Sequence, residues 1–550
     1  MVDCLLLIDH GLEGLNPLDA LIYKQLHLFH KFWKNINPLE FNKRSSQEFF
    51  GPRIDSGFSL TGVVLCTGLN KNGHSYIVFE GPDLIETHAE QIIGVLQENV
   101  YCVAISTTHQ VNILRTLAVL EFVRKYAPRI KILVGGQGLI SERAHNSNLF
   151  KTLHQADILL FGDGEIAFPE IVSRIKAGHD LNGIRGVWYK ERYQKCDETS
   201  IVDLNAVSLP DYSLPRLSSY NPHFTSEIRT GSWTVSMEEG RGCRFKCRFC
   251  SFPGNNTFRR KKPERILEEL RFAKAAGAKS VYLCGSNALS STKDIKRLCK
   301  MIYDAKLNLN LSSYARLDLL SNQLDVVEYI KLAGWKWLLC GIESGDRKIL
   351  AAMGKKANIE SIPNFTEYLQ KKIGIQIFAS FIIGYPGECA QSLQNTKQLL
   401  KSANFHTVLL QGLYIFKDTV LYEMRKQYGL TMLNHYGAWK HLTMDSYSIP
   451  AIMEDFILFI SSETDSNIGG LLSIAKEYVR EYDSTTVTRL SIYLQQIVAA
   501  GLLQEPMRNA IWTKLLRFIS EDAEIIPSVR IKKLVSRINS TPTTWWESVS

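Results

Sequence analysis

Short apolar runs alternating with amphipathic stretches constrain this chain most, because parallel strands need a helix-length crossover between them. In the front part, strands are expected at Leu5–Asp9, His74–Phe79, Cys102–Ser106, Ile130–Val134 and Ile158–Phe161. Helices are expected between them at Leu60–Asn70, Leu84–Gln97 and Val111–Tyr126. The order predicts an α/β domain over 1–190, a doubly wound parallel sheet covered on both faces. Residues 10–58, rich in aromatics, Lys and Asn, interrupt the first crossover as an insertion. Residues 191–232, with Pro210, Pro215 and Pro222 and little periodicity, read as a linker.

The alternation resumes at Trp233. Strands are expected at 233–236, Ser280–Cys284, Leu309–Ser313, Trp337–Gly341, Gln376–Ile383 and Thr407–Leu413. The helices between them are Pro263–Ala276, Thr292–Ala305, Gln323–Leu332, Ile359–Lys371 and Ala390–Ala403. The pattern predicts a partial or complete β/α barrel over 233–430, with its chemistry at the carboxyl ends of the strands. Residues 431–550 read as a helical domain, through Ile452–Ser461, Gly469–Tyr482 and Val487–Gly501.

Composition excludes little beyond disorder and collagen. Lys+Arg 64 against Asp+Glu 55 gives a net charge of +9, a mild excess over 550 residues and not the basic stripe of a nucleic-acid binder. No basic leader and no membrane-length apolar stretch is evident, so the expected location is cytoplasmic, with no membrane partner. Eleven cysteines, three of them within eight positions, fit reduced thiols around one metal site better than a disulfide framework.

Those three stand in Gly240-Arg-Gly-Cys243-Arg-Phe-Lys-Cys247-Arg-Phe-Cys250, a C-x3-C-x2-C loop after the first strand of the second unit. Three thiolates can hold three irons of a cubane and leave the fourth open, whereas a structural cluster normally uses four. The alternative is zinc, which needs a fourth ligand and favours paired motifs; no second C-x2-C or H-x3-H is present. The basic neighbours Arg241, Lys246 and Arg248 are expected to favour thiolates.

With Phe249 before the third cysteine, the loop resembles the radical S-adenosylmethionine (SAM) signature, C-x3-C-x-aromatic-C. The resemblance implies a [4Fe–4S] cluster on Cys243, Cys247 and Cys250. Its open iron would chelate SAM, and one electron would cleave SAM to methionine and a 5′-deoxyadenosyl radical. An electron donor such as flavodoxin or ferredoxin would be a partner. Further strand ends resemble the family in order. Ser286 and Asn287 stand where the family holds the SAM amine, though the usual acidic turn is missing; Ser313 and Arg316 stand where it binds ribose and carboxylate. Gly341-Ile-Glu343-Ser-Gly resembles the fourth-strand motif, and Gly384-Tyr-Pro-Gly-Glu388 a later turn.

In the front domain, Ser106 and Thr107, Gly135 and Gly136, and Gly162, Gly164 and Glu165 end successive strands, giving hydroxyls and bare backbone at one sheet edge. The layout resembles the cobalamin-binding domain that precedes many radical SAM barrels, which implies cobalamin at those residues. No D-x-H-x-x-G is present, so His10 is no established cobalt ligand. A Rossmann dinucleotide site lacks its G-x-G-x-x-G, and a bare scaffold stays open. Asp3-Cys-Leu5 and Trp439-Lys-His441-Leu-Thr-Met-Asp-Ser446 resemble the P-methyltransferases of phosphinate antibiotic pathways.

The expected function is cobalamin-dependent methyl transfer to an unactivated carbon or phosphinate phosphorus of a small-molecule or peptide substrate. Peptide epimerisation or rearrangement, with Cys284, Cys340 or Cys389 as hydrogen donor, is one alternative; a cobalamin- or redox-sensing regulator is another. Trp439 and His441 read first as a packed aromatic and a satisfied core histidine. Arg259–Lys262 reads as a solvated face.

Overall fold

The computed structural model describes residues 2–9, 59–81, 84–98, 100–107, 113–139, 153, 155–190, 192–193, 202–213, 234–251, 258–286, 288–289, 292–355, 357–432 and 438–468. The insertion 10–58, His10, Asn287 and the helices expected beyond 469 lie outside the described residues.

The front sheet is built from β1 (Val2–Asp9), β2 (Tyr76–Gly81), β3 (Val100–Thr107), β4 (Lys131–Gly135), β5 (Ile158–Leu160), β6 (Val187–Tyr189) and β7 (Arg192–Tyr193), in the order 2-1-3-4-5-6-7. The first five strands are parallel; β6 and β7 pair antiparallel at one edge. The two extra strands include one inside the stretch expected to be linker, too short for a period-2 pattern to register. Along β1, Leu5 and Leu7 enter one core and Cys4, Leu6 and Ile8 the other, which is why the strand reads as an unbroken apolar run. Strand order reverses between β1 and β3, the place where open α/β sheets leave a crevice beyond the strand ends.

The second sheet comprises β8 (Thr234–Met237), then, past a ribbon of β9 (Gly240–Arg241) and β10 (Arg259–Arg260), β11 (Ser280–Leu283), β12 (Asn310–Ala315), β13 (Trp335–Glu343), β14 (Gln376–Ile383) and β15 (Thr407–Gly412). After the short antiparallel pair β16 (Thr431–Met432) and β17 (Trp439–Lys440), the chain adds β18 (Asn467–Ile468) beside β15. The seven sheet strands are parallel and lie in chain order, and no pairing among the described residues joins β8 to β18, so the barrel is an open one. Residues 431–550 were expected to form a helical domain without strands; their described part contains the helix Ile449–Glu463 but also β16, β17 and β18. Two-residue strands carry no periodicity, which explains the difference. The single helix expected over 359–371 is instead a 3₁₀ turn, a short α-helix from Ile362 with Pro363 in its first turn, and a wider π-type turn over Tyr368–Ile373.

Alternate strand residues separate two environments. Val235, Val281, Leu311, Leu338, Ile377 and Val408 are buried in the main hydrophobic core with the helices. On the opposite, concave face, Ser236, Tyr282, Ser312, Trp337 and Gln376 sit side by side in register, all half-buried. The main core also includes front-domain residues, so apolar packing runs continuously between the two sheets. Tyr212, buried in that core, donates from its hydroxyl to Glu269 Oε1 at 2.7 Å, and the Asp211 amide donates to Thr67 Oγ1 at 2.8 Å, stapling the connecting segment to both halves.

Candidate active site

The cysteine loop leaves β8 at the carboxyl edge of the second sheet. Its three cysteines are half-buried. The loop backbone is clamped from two sides: Arg248 N donates to Met353 O at 2.9 Å, and Leu421 N donates to Arg248 O at 2.8 Å. Gly354 has φ +74, and a Cβ there would press on Lys246 O at 3.3 Å, so a glycine lets the turn after Arg347–Ala352 touch the loop.

Around Cys247, burial pushes the thiol up, while Lys355 and Arg316 pull against it. These cations are not the sequence neighbours expected to do so. Arg241 turns to carboxylates, Lys246 is exposed, and Arg248 donates to Ala352 O at 3.1 Å. Adjacent side chains on a tight loop diverge, so charge reaches the thiols from other strand ends. Lys355 was missed by the sequence reading; it is buried, pairs with Glu343 at 3.1 Å and also donates to Gly341 O. Glu343 adopts φ +71 at a register shift in β13, a strained position of the kind that clusters at functional sites.

Arg316 lies 4.3 Å from the Phe245 ring centroid and is gripped bidentately by Asp318, Nε to Oδ1 at 3.0 Å and Nη2 to Oδ2 at 2.6 Å. Its guanidinium is thereby held over the cysteine loop. Phe249 packs against the main core. Ser286 Oγ donates to Gly242 O, tying the second strand end to the loop. Ser313 is fully buried and accepts from Trp335 Nε1 at 3.0 Å on the helix-covered side, while Ser312 occupies the concave face. The acidic group at the second strand end comes from elsewhere: Glu239 accepts from Gly285 N at 2.9 Å, and burial raises its carboxyl to about 7. The sequence signal was the Glu-Glu pair preceding Gly240.

At the front sheet edge, Thr107 is buried and hydrogen-bonded to Thr116 at 2.7 Å, with Ser106 buried beside it. Gly136 has φ +113, and a Cβ there would lie 2.3 Å from Thr107 O, so this glycine permits close approach of β4 to β3. Gly135 meets only ordinary contacts. Gly162 takes φ +93 into the helix Gly164–Ala177. Glu165 turns to Arg241 of the cysteine loop, and Asp163 binds Arg241 and Arg259, each at 2.6 Å. Arg259 is therefore partly buried in an ion network and not on a solvated face.

At the fifth strand end, Trp439 is buried, donates from Nε1 to Leu413 O at 2.8 Å and stacks on His441 with ring planes 5° apart. His441 Nε2 contacts Gly384 O at 2.9 Å, which requires a proton on Nε2, and Nδ1 faces the Thr443 amide at 3.3 Å. Burial lowers its pKa. The pair is a packed aromatic and a satisfied histidine.

The loop offers three half-buried thiols with Lys355 and Arg316 acting on Cys247. Among the described residues, no three His, Cys, Asp or Glu side chains gather around a one-ion site. A cubane instead gives each cysteine its own iron. The model of the Radical SAM superfamily matches residues 237–400, from the end of β8 into the helix Ala390–Ala403. The chain carries a radical SAM domain.

Similarity extends beyond it. The cobalamin-dependent radical SAM methyltransferase TokK of Streptomyces tokunonensis is 24% identical over 342 residues, 58% of this chain and 48% of that protein. The chain spans about half the length of curated relatives it matches. Among solved structures, the cobalamin-dependent SAM radical enzyme OxsB, with aqua-cobalamin and SAM bound, aligns with a TM-score of 0.61 at 14% identity, covering 100% of this chain and 78% of that one. The radical SAM methyltransferase TsrM from Kitasatospora setae, with cobalamin and a [4Fe–4S] cluster bound, gives 0.54 at 14% identity, covering 78% and 75%. The two alignments extend the shared fold beyond the radical SAM domain. No helix among the described residues is long and apolar enough to cross a membrane.

Proposed function

We propose that this protein is a cobalamin-dependent radical SAM methyltransferase acting on an unactivated carbon of a small-molecule or peptide substrate. The observation that carries the reading is the half-buried cysteine loop, set beneath Arg316 and Lys355 at one sheet edge and tied directly to the carboxyl edge of a flavodoxin-ordered sheet. When bound, the cluster on Cys243, Cys247 and Cys250 supplies the electron that cleaves SAM, and cobalamin at the β1/β3 edge supplies the methyl group. In this reading residues 1–190 hold cobalamin and 233–430 perform the radical chemistry, joined through 191–232, while Ile449–Glu463 and β18 pack on the barrel.

The chain's own residues prepare the site. Lys355 and Arg316 offset the charge that three thiolates gather, and Arg316 keeps one nitrogen clear of Asp318 for a carboxylate such as that of SAM. Gly341, without a side chain, leaves room for the Glu343 carboxylate and Lys355 to lie against the fourth strand end, and Glu239 presents an acidic group at the second strand end. The concave rows Ser236, Tyr282, Ser312, Trp337, Gln376 and Tyr314, Leu339, Phe378 are lined by hydroxyls, an amide and apolar or aromatic side chains, with Glu238 and Arg316 beyond them at the strand ends. A wall of hydroxyls and aromatic faces suits a neutral, flat substrate portion, whereas phosphinate calls for a cation beside it.

The test is anaerobic reconstitution with SAM, cobalamin and a reductant. Deoxyadenosine must form, and label from methyl-deuterated SAM must appear in the product of a neutral substrate. Deoxyadenosine formation without cobalamin dependence favours instead the epimerase or rearrangement reading. Cys284 supports that second reading: of Cys284, Cys340 and Cys389 it alone is half-buried beside the concave face, Cys340 being buried and Cys389 exposed.

A further inference from the structure

The ion network between the two sheets has a composition unlike a ligand site. Arg241 stands two residues before Cys243 on β9, and Arg259 faces it in register on β10. Arg241 directs each nitrogen to a different carboxylate: Nε to Glu238 at 2.8 Å, Nη1 to Asp163 at 2.6 Å, and Nη2 to Glu165. Arg259 Nη1 donates to the second oxygen of Asp163 at 2.6 Å and to Val202 O at 2.9 Å, while Val202 N donates to Asp163 at 3.0 Å. All these side chains are mostly buried, between 12% and 23% exposed. Two guanidiniums thus meet three carboxylates from both halves of the chain. Asp163 and Glu165 stand at the N-terminus of the helix Gly164–Ala177, immediately beyond β5.

We infer that Arg241, held by Asp163 and Glu165, is a positioning residue that fixes the distance between the cysteine loop and the carboxyl edge of the front sheet. The inference rests on the proposed function, since it is cobalamin at that edge whose separation from the cluster the tie sets. Glu165 then serves as an interdomain clamp and not as a cofactor contact. The fork of arginine is required: three nitrogens address three carboxylates in one plane, which a lysine ammonium cannot reproduce. Apolar packing around Tyr212 also joins the halves, so loss of the tie changes their spacing without separating them. Transfer between two bound groups is sensitive to such changes, because a misplacement of about 1 Å can cost roughly 100-fold in rate.

The experiment uses the full chain loaded with cluster and cobalamin, reduced so that both the cluster and Co(II) are paramagnetic, and reads their separation by pulsed dipolar EPR. Arg241→Lys and Asp163→Asn are expected to load both groups but to shift or broaden the distance distribution by about 1 Å or more. Glu165→Gln, isosteric and gentler, serves if either variant folds poorly, and is expected to give a smaller change of the same kind. A purely stabilising role lowers the melting temperature and leaves the distribution unmoved, which overturns the inference. Wild-type protein that takes up a cluster but no cobalamin overturns the proposed function and this inference together; unchanged distributions in loaded variants overturn the inference alone.

Discussion

The carboxyl edges of the two sheets carry similar inventories of glycine, hydroxyl and acid, and use them in opposite ways. At the front edge the polar groups satisfy one another. Thr107 bonds Thr116, and Asp163 has its carboxyl held low: burial works to raise it, but Arg259 and Arg241 prevail. At the barrel edge two buried carboxyls are pushed the other way, Glu239 and Glu388 each to about 7 by burial. Paired charge makes a rigid joint; buried acids raised toward neutrality are of the kind that clusters at functional sites. Within Gly162-Asp-Gly-Glu165 both acids meet Arg241, and Asp163 also holds Arg259.

Four sets of substitutions break or sharpen this contrast. The largest effect is expected at the barrel edge, where Ala at Cys243, Cys247 or Cys250 abolishes cluster absorbance and SAM cleavage, while Cys389→Ala, at an exposed position, leaves both intact. Visible spectra and deoxyadenosine assays of the anaerobically reconstituted protein read the outcome. Next, Lys355→Met strands Glu343 in a buried site and should destabilise by roughly 3–5 kcal/mol in urea unfolding. Recovery of most of that loss in Lys355→Met/Glu343→Leu is expected, because the cost lies in the orphaned charge.

The pH response follows at similar or smaller size. Glu388 is raised from the ordinary carboxyl range to about 7, so the folded state holds a proton that the unfolded state releases. Stability should therefore fall as pH rises from about 4.5 to 7, by up to about 3 kcal/mol from this group. Melting curves of Glu388→Gln should lack that part of the slope. Asp163 acts with the opposite sign, its stabilisation being present above the unfolded carboxyl pKa and lost on acidification. The smallest effects separate the paired glycines. Gly136→Ala is expected to cost roughly 1–3 kcal/mol through its positive φ and the Thr107 carbonyl. Gly135→Ala should melt near wild type and, if that edge holds cobalamin, bind it more weakly by absorbance titration. Equal melting losses at both positions argue against this division.

Much of the framework was legible because it is local. Alternating apolar runs located the parallel strands within a few residues, since a strand buried on both faces must be continuously apolar, as Leu5–Ile8 is. The cysteine spacing and the aromatic before Cys250 marked the site on one loop. What escaped were elements too short to show a period, β7, β16, β17 and β18, and partners distant in sequence. Lys355 stands in no strand-end motif, yet the fold carries it to Cys247. Ser313 and Ser312 are indistinguishable by composition; only the pleat decides which meets Trp335 and which faces the concave wall.

Sequence alone determined the crossover architecture and the three thiols within one turn of chain, because periodicity and spacing act between near neighbours. Tertiary structure decided which charges meet: Arg241 with Asp163 and Glu165, Lys355 with Glu343, Arg316 with Asp318. Coulombic partners are chosen by distance and burial in three dimensions, and neither quantity is written in the order of residues.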